Sequence, residues 1–352
     1  GHFVLPTIIE IDSIERLQRE VFGPVLHILR YRREQLPQVL DAINATGYGL
    51  TFGVHSRIDE TIAQVTQQVQ AGNIYVNRNV IGAVVGVQPF GGMGLSGTGP
   101  KAGGPLYLYR LLQPGAAQGN AALAALPALP VSPSIPPVAI PLASDIAPLR
   151  ALQSLTAALQ DKNHAPLLPG QHNSADVAHT LAACHSYAAH SALGQVFTLP
   201  GPTGETNRYQ LLPRGPVWAQ PHTAVGLLHQ LAAALASGNR CWLATPAASS
   251  PVAQTLAALP PEVLAFVEQC PAAEILAAAQ LGAVLFEGDG DALQRLAAQL
   301  AQRPGALLRI ESLSSAQLAS GTLYDVSALM HEQSISTNTA AAGGNAQLMT
   351  MG

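Results

Sequence analysis

Residues 36–77, LPQVLDAINATGYGLTFGVHSRIDETIAQVTQQVQAGNIYVN, switch hydrophobic period from helix to strand and back, and so decide the fold class. Leu36, Val39, Leu40 and Ile43 recur at i, i+3, i+4 and i+7, which stacks them on one face of a helix. Gly47 and Gly49 stop that helix, because glycine tolerates left-handed cap geometry. Leu50 to His55 reads as a short strand. Asp59 to Gln70 reads as a second helix with Ile62, Val65 and Val69 inward and Gly72 at its stop. Ile74 to Asn77 is a strand again. Strands that alternate with helices need crossover connections, so the sheet they form is parallel.

Upstream the rhythm continues, with strands expected at Thr7 to Ile11 and Val25 to Tyr31. Residues 1–112 make one α/β block. From 113 to 148 the pattern collapses into Ala, Pro, Gly and Leu, with closely spaced prolines such as Pro133, Pro136 and Pro137. Proline lacks a backbone donor and breaks helices, so this stretch reads as a linker. Order returns over 149–330. Helices are expected at Arg150 to Leu159 and His222 to Ala236, and strands at Val217 to Gln220, Arg240 to Ala244 and Val284 to Phe286. The last of these runs into Gly288-Asp289-Gly290 and a helix marked by Leu293, Leu296 and Leu300. Residues 331–352 are polar and small, and read as an extended tail docked on something else.

Bulk properties exclude several classes. The chain has 352 residues, 48% of them hydrophobic, enough for more than one packed domain. A net charge of -4 without a Lys/Arg run leaves no footprint for nucleic acid. No apolar run is long enough to span a bilayer as a helix, and the start lacks a signal-peptide pattern. Three scattered cysteines, Cys184, Cys241 and Cys270, argue against a disulfide framework or a metal site and for a reducing compartment, most simply the cytoplasm.

Two motifs carry the chemistry. Arg19-Glu20-Val21-Phe22-Gly23-Pro24-Val25 precedes Pro89-Phe90-Gly91-Gly92-Met93-Gly94-Leu95-Ser96-Gly97 by a long interval. Alone, a Gly-Pro pair is an ordinary turn. Together, in this order, the two segments resemble the late motifs of the aldehyde dehydrogenase superfamily. Val84 to Gly92 and Ser96 to Pro105 are similar to its glutamate semialdehyde branch. Ile335 to Ala346 resembles the C-terminal motif of the proline utilization A family. Met93 falls where that family favours a charged residue.

The resemblance implies roles. Glu20 would accept hydrogen bonds from the nicotinamide ribose of NAD, as an acceptor-only carboxylate suits two hydroxyl donors. Phe22 would pack against the nicotinamide side. Gly82 and Ala83 would anchor the substrate carboxylate through backbone N–H groups. Phe90 would line the aldehyde site. Read without the resemblance, Glu20 is a solvated charge, Gly82-Ala83 a flexible turn and Phe90 a core ring. In the family a cysteine thiolate attacks the aldehyde, hydride passes to NAD, and water releases the acid. None of the three cysteines stands in the nucleophile's setting. Cys184 beside His185 is more simply a buried thiol.

The chain is therefore expected to contribute no catalytic residue itself and to be inactive alone, with the nucleophile and general base upstream in a longer polypeptide. That parent would also carry a flavin-dependent (FAD) proline dehydrogenase domain and act as a homo-oligomer, cytoplasmic or peripheral at the inner membrane. Its dehydrogenase would convert L-glutamate γ-semialdehyde to glutamate. The second block resembles a cofactor-binding aldehyde dehydrogenase half, with Ala244 where a lysine is usual and an acidic Glu287 to Gly290 turn. It is read as a degenerate, Rossmann-like copy, and the tail as a cap over the aldehyde site. The rival readings are a non-catalytic assembly protein and a stand-alone aldehyde dehydrogenase of broader range.

Overall fold

The structure is a computed structural model, described here for residues 3–111, 146–161, 167–169 and 174–339. It is an α/β protein that divides into two compact units. The first comprises the described residues of Gly1–Gly104, Leu199–Arg208 and Gln333–Gly352; the second comprises those of Pro105–Thr198 and Tyr209–Glu332.

In the first unit, β1 (Thr7–Ile11) pairs in parallel with β2 (Val25–Leu29). Helix α1 (Leu36–Ala45) follows with Leu40 buried, and the chain turns at Gly47, whose φ is +76°. Strand β3 (Tyr48–Gly49) leads to β4 (Thr51–Val54). Helix α2 (Asp59–Gln68) ends two residues earlier than its pattern suggests, because Val69 is already extended and turns into the core. Strand β5 (Asn73–Val76) is buried throughout and pairs in parallel with β4. Gly49 and Gly72 are small because other backbones press on them. A Cβ on Gly49 would lie 2.1 Å from the Gln70 carbonyl oxygen, and one on Gly72 1.9 Å from that of Gly91. Short β6 (Met93–Gly94) pairs with β3.

The other edge of β5 is filled from far along the chain. Strand β14 (Met330–Asn338) runs parallel to it, with Ser334 to Thr337 facing Asn73 to Val76. The stretch expected to be an extended tail is thus a sheet strand as far as Asn338. The rest of that expectation, from 340 on, lies outside the described residues. Strand β7 (Val196–Leu199) precedes β8 (Glu205–Pro213), which is hydrogen-bonded to the far side of β14. Val69, Ala71, Ile74, Val76 and Ile335 form the local apolar core.

The second unit holds a parallel sheet of β9 (Val217–Gln220), β10 (Cys241–Leu243), β11 (Val267–Gln269), β12 (Ala283–Glu287) and β13 (Arg309–Leu313). Their spatial order is β11-β10-β9-β12-β13, and every neighbouring pair is parallel. This is a doubly wound, Rossmann-type order: the chain builds outward from β9, then jumps back to start again beside it. Helices α3 (Ala147–Gln160), α4 (Ser174–Ala189) and α5 (Ala224–Ala236) build one side of the core. Every residue of α5 is buried, so this helix is enclosed on all sides, is apolar except at His229 and Gln230, and needs no amphipathic stripe. Trp218, Trp242, Val284 and Phe286 face a second cluster with Leu296 and Leu300. Those two leucines belong to helix α9 (Gly290–Leu300), reached through the short helices α6 (Pro251–Ala257), α7 (Pro261–Leu264) and α8 (Ala272–Ala277). Another short helix, α10 (Ser315–Ala319), follows β13. Residues 113–145 of the expected linker lie outside the described residues. Its last members, Ala147 and Pro148, instead open α3, where proline is tolerated because a first-turn N–H has no helical partner anyway.

Candidate functional site

The five candidate residues fall into two groups on the first unit. Glu20 and Phe22 sit on the loop that enters β2, and Gly82, Ala83 and Phe90 on the loop that leaves β5. No hydrogen bond among the described residues links the two groups.

On the first loop, Gly23 has φ +109°, a conformation reserved for glycine, and bends the chain into β2. Phe22 is 87% exposed, a large apolar ring with little to cover it. Glu20 is also exposed, and its carboxylate makes no hydrogen bond among the described residues. A free acceptor beside an uncovered ring matches what a ribose and a flat heteroaromatic ring need, so these residues fit the nicotinamide half of NAD. Nearby, an open concavity of about 880 Å³ is lined by Asp12, Ser13, Glu15, Arg16 and Gln18 and by none of the candidates. Its Asp12–Arg16 ion pair is well exposed, so it reads as a solvated face.

The second loop is built more tightly. Gly82 adopts φ +73°, and a Cβ there would meet nothing within 4 Å, so glycine is needed for backbone conformation alone. Its neighbours are tied down: Ile81 N donates to Asn79 Oδ1 (3.2 Å) and Val84 N to Gln88 Oε1 (3.0 Å). The N–H groups of Gly82 and Ala83 between them have no partner among the described residues. Two consecutive free backbone donors at a left-handed turn make a concavity suited to a carboxylate.

Gln88 holds this loop in place. It is 3% exposed, and while its Oε1 accepts from Val84 its Nε2 donates to Glu205. Glu205 also receives Arg78, and both members of that ion pair are largely shielded. Arg78 lies over the Tyr75 ring, 4.9 Å from its centre. Phe90 is pinned by a two-way backbone bridge to Ala102, N–H to O at 3.0 and 2.9 Å. Its ring stays 37% exposed, whereas a core ring would be covered. Next to Ala102 in the chain, Lys101 is 2% exposed and donates to Asn73 Oδ1 (2.7 Å) and the Gly91 carbonyl (2.6 Å). Asn73 Nδ2 reaches the Pro89 carbonyl at 2.9 Å. A buried ammonium thus ties the Pro89 to Gly92 turn to β5.

Sequence reasoning missed Gln88, Lys101 and Glu205. Only Lys101 left a signal: it is one of two lysines in the chain, set inside a glycine-rich run. Met93 is 6% exposed at the β3–β6 pair, a setting that accepts an apolar side chain.

None of the three cysteines is an activated nucleophile. Burial pushes the thiols of Cys184 and Cys241 up to about 12. Cys270 is raised too, by burial and then by the charges of Glu268 and Glu274. A thiolate nucleophile needs the opposite shift. His185 turns away to Gln160, at 3.3 Å, and does not pair with Cys184.

Residues 1–114 match the aldehyde dehydrogenase family. The bifunctional protein PutA of Rhizobium meliloti is 45% identical to this chain over 353 aligned residues, which are 100% of the chain and 26% of that protein. This chain is similar to that protein along its whole length. A 1-pyrroline-5-carboxylate dehydrogenase of Bacillus subtilis is 43% identical over 115 residues, 32% of the chain and 22% of that enzyme. Among solved structures, proline utilization A of Corynebacterium freiburgense superposes with a TM-score of 0.55 at 20% identity, covering 91% of this chain and 26% of that one. That likeness confirms the fold. The chain spans about a quarter of the length of the proline utilization A relative whose sequence it matches.

Proposed function

We propose that this chain supplies the late part of an NAD-dependent dehydrogenase that oxidises L-glutamate γ-semialdehyde, formed from pyrroline-5-carboxylate, to glutamate. One observation carries the reading: the free N–H groups of Gly82 and Ala83, framed by bonded neighbours and set a few residues before the exposed Phe90. A donor pair beside an apolar wall fits an aldehyde that bears a carboxylate at its far end. The name of the 1-pyrroline-5-carboxylate dehydrogenase relative agrees with this substrate class.

In this reading Gly82 and Ala83 orient the substrate, Gln88 and Glu205 hold their loop, and Phe90 shields the aldehyde from water. Glu20 and Phe22 hold NAD, which when bound accepts the hydride. The nucleophile and general base come from the remainder of a longer, bifunctional polypeptide, whose flavin-dependent (FAD) proline dehydrogenase domain makes the substrate. Exposed Phe3, Leu5, Ile8 and Leu26 give that remainder an apolar face to cover. The parent works as a homo-oligomer in the cytoplasm, a reducing setting that suits three free cysteines. No described helix is long and apolar enough to cross a membrane.

The test uses the complete parent enzyme. Gly82→Val should force the turn out of its left-handed conformation. KM for the semialdehyde should rise at least tenfold, about 1.4 kcal/mol of lost binding, while KM for propionaldehyde, which has no carboxylate, changes little. Equal losses on both aldehydes would remove the anchoring role. A parent that reduces no NAD with semialdehyde would remove the function.

A further inference from the structure

The second unit has the strand order of a dinucleotide-binding sheet, yet the place where such sheets hold phosphate is already filled. In open parallel sheets of this order, ligands bind outside the carboxyl ends of the strands, where the order reverses. Here that point lies between β9 and β12. The helix that follows β9 is α5, 13 residues long, and its N-terminal N–H groups point into this region.

Glu287 is the last residue of β12 and is 4% exposed. Its Oε2 accepts from the backbone N–H of His222 (2.6 Å) and of Thr223 (2.9 Å), and its Oε1 from the Thr223 hydroxyl (2.8 Å). The Thr223 oxygen in turn accepts from Gly226 N at 2.9 Å, capping the helix. Gly226 clears the space: a Cβ there would lie 1.8 Å from the carboxylate. Buried donors, a helix N-terminus and a glycine-cleared hollow are the parts of an anion site, and the anion is part of the chain. Two other helix starts around these strand ends are also closed from within. Asp289 caps α9 and Ser314 caps α10, and both line a hollow of about 250 Å³.

We propose that Glu287 is a built-in anion that occupies the phosphate position of this crevice, and that it keeps the second unit from binding phosphate ligands. A phosphate would have to enter the same volume against a like charge, with the N–H groups of His222 and Thr223 and the Thr223 hydroxyl already taken. The unit thereby keeps the packing of a nucleotide-binding domain without a free nucleotide. This inference is independent of the dehydrogenase reading.

The experiment compares the 352-residue chain with its Glu287→Ser and Glu287→Gln variants, using inorganic phosphate and pyrophosphate as probes at constant ionic strength. The unfolding midpoint of the unaltered chain should not respond specifically to either anion. Glu287→Ser should unfold several degrees lower in chloride and recover most of that loss, saturably, in phosphate or pyrophosphate. Glu287→Gln fills the same volume and should bind neither. A Glu287→Ser chain that folds only when phosphate is present supports the proposal. It is overturned if the unaltered chain binds phosphate as tightly as the serine variant, if phosphate fails to stabilise or refold that variant, or if Glu287→Gln binds phosphate equally well.

Discussion

Gln88 braces the loop that carries Gly82, Ala83 and Phe90: its Oε1 accepts from Val84 N and its Nε2 donates to Glu205. Glu20, Phe22, Gly82, Ala83 and Phe90 stand inside motifs whose residue types match a chemical task. Gln88 and Glu205 act only because two distant segments meet, and no local pattern records that meeting. The bracing by Gln88 makes it a sharp test. Gln88→Leu leaves Val84 N unpaired and takes a donor from Glu205, which should cost about 1–3 kcal/mol. In the complete enzyme KM for the semialdehyde should rise more than kcat falls; unchanged kinetics would show that the loop does not need the brace. His229 gives a second prediction. It is fully buried in α5, both ring nitrogens lack a hydrogen-bond partner among the described residues, and its edge meets Tyr187. Burial lowers its pKa to about 4, from an ordinary value near 6.5. Between those values the unfolded chain takes up a proton that the folded one refuses. Stability is therefore full above pH about 6.5, is lost as pH falls toward 4, and then levels, a total of about 3 kcal/mol from this group. His331, lowered to about 3 by burial and then by Arg214, adds to the same slope. His229→Leu should flatten urea-unfolding stability across that window, leaving the His331 share. An unaltered slope would refute the assignment.

At the scale of elements, periodicity located the helices and strands, while their ends followed tertiary contacts. The expected helix at His222 to Ala236 starts at Ala224, because Thr223 stays extended to cap it and His222 N is spent on Glu287. The expected Arg240 to Ala244 strand keeps only Cys241–Leu243, the residues that find partners on both sides. Helix α5 shows what composition alone conveys. Its alanines and leucines have no polar face, which already marks a helix enclosed on all sides. Leu231 is 1% exposed in that enclosure. Leu231→Ala should cost about 2–5 kcal/mol through lost burial and the cavity left behind. Chemical denaturation should show an earlier midpoint with an unchanged slope. A loss under 1 kcal/mol would mean that the surrounding helices collapse into the gap.

At the scale of the whole molecule, the parallel α/β class was legible and the composition of the first unit was not. Ser334, Ser336 and Thr337 look like a solvated tail, because strand patterns are recognised by alternating apolar residues. Ser334 and Ser336 are buried beside Gln333, with Thr337 half-buried, and the polar groups of the buried three are used: Gln333 donates to the Ala71 carbonyl, Ser334 to that of Pro89 and Ser336 to Asn207. The first of these joins residues 262 positions apart, a separation at which no local signal survives. The cost of closing so long a loop is met by an unbroken ladder along β5 and by the burial of Ile335 against Ile74 and Val76. Removing 333–352 should therefore act on the other end of the sequence. Strand β5 would become an edge with unpaired N–H and C=O groups and an uncovered apolar face. Hydrogen exchange at Asn73–Val76 should rise toward the rate of exposed loops, while the amides of α5 keep their protection. The shortened chain should also associate through the new edge as its concentration rises. If Asn73–Val76 stayed protected in a monomeric shortened chain, the first unit would be stable without its last strand, and the C-terminal segment would have to be assigned a role other than completing the sheet.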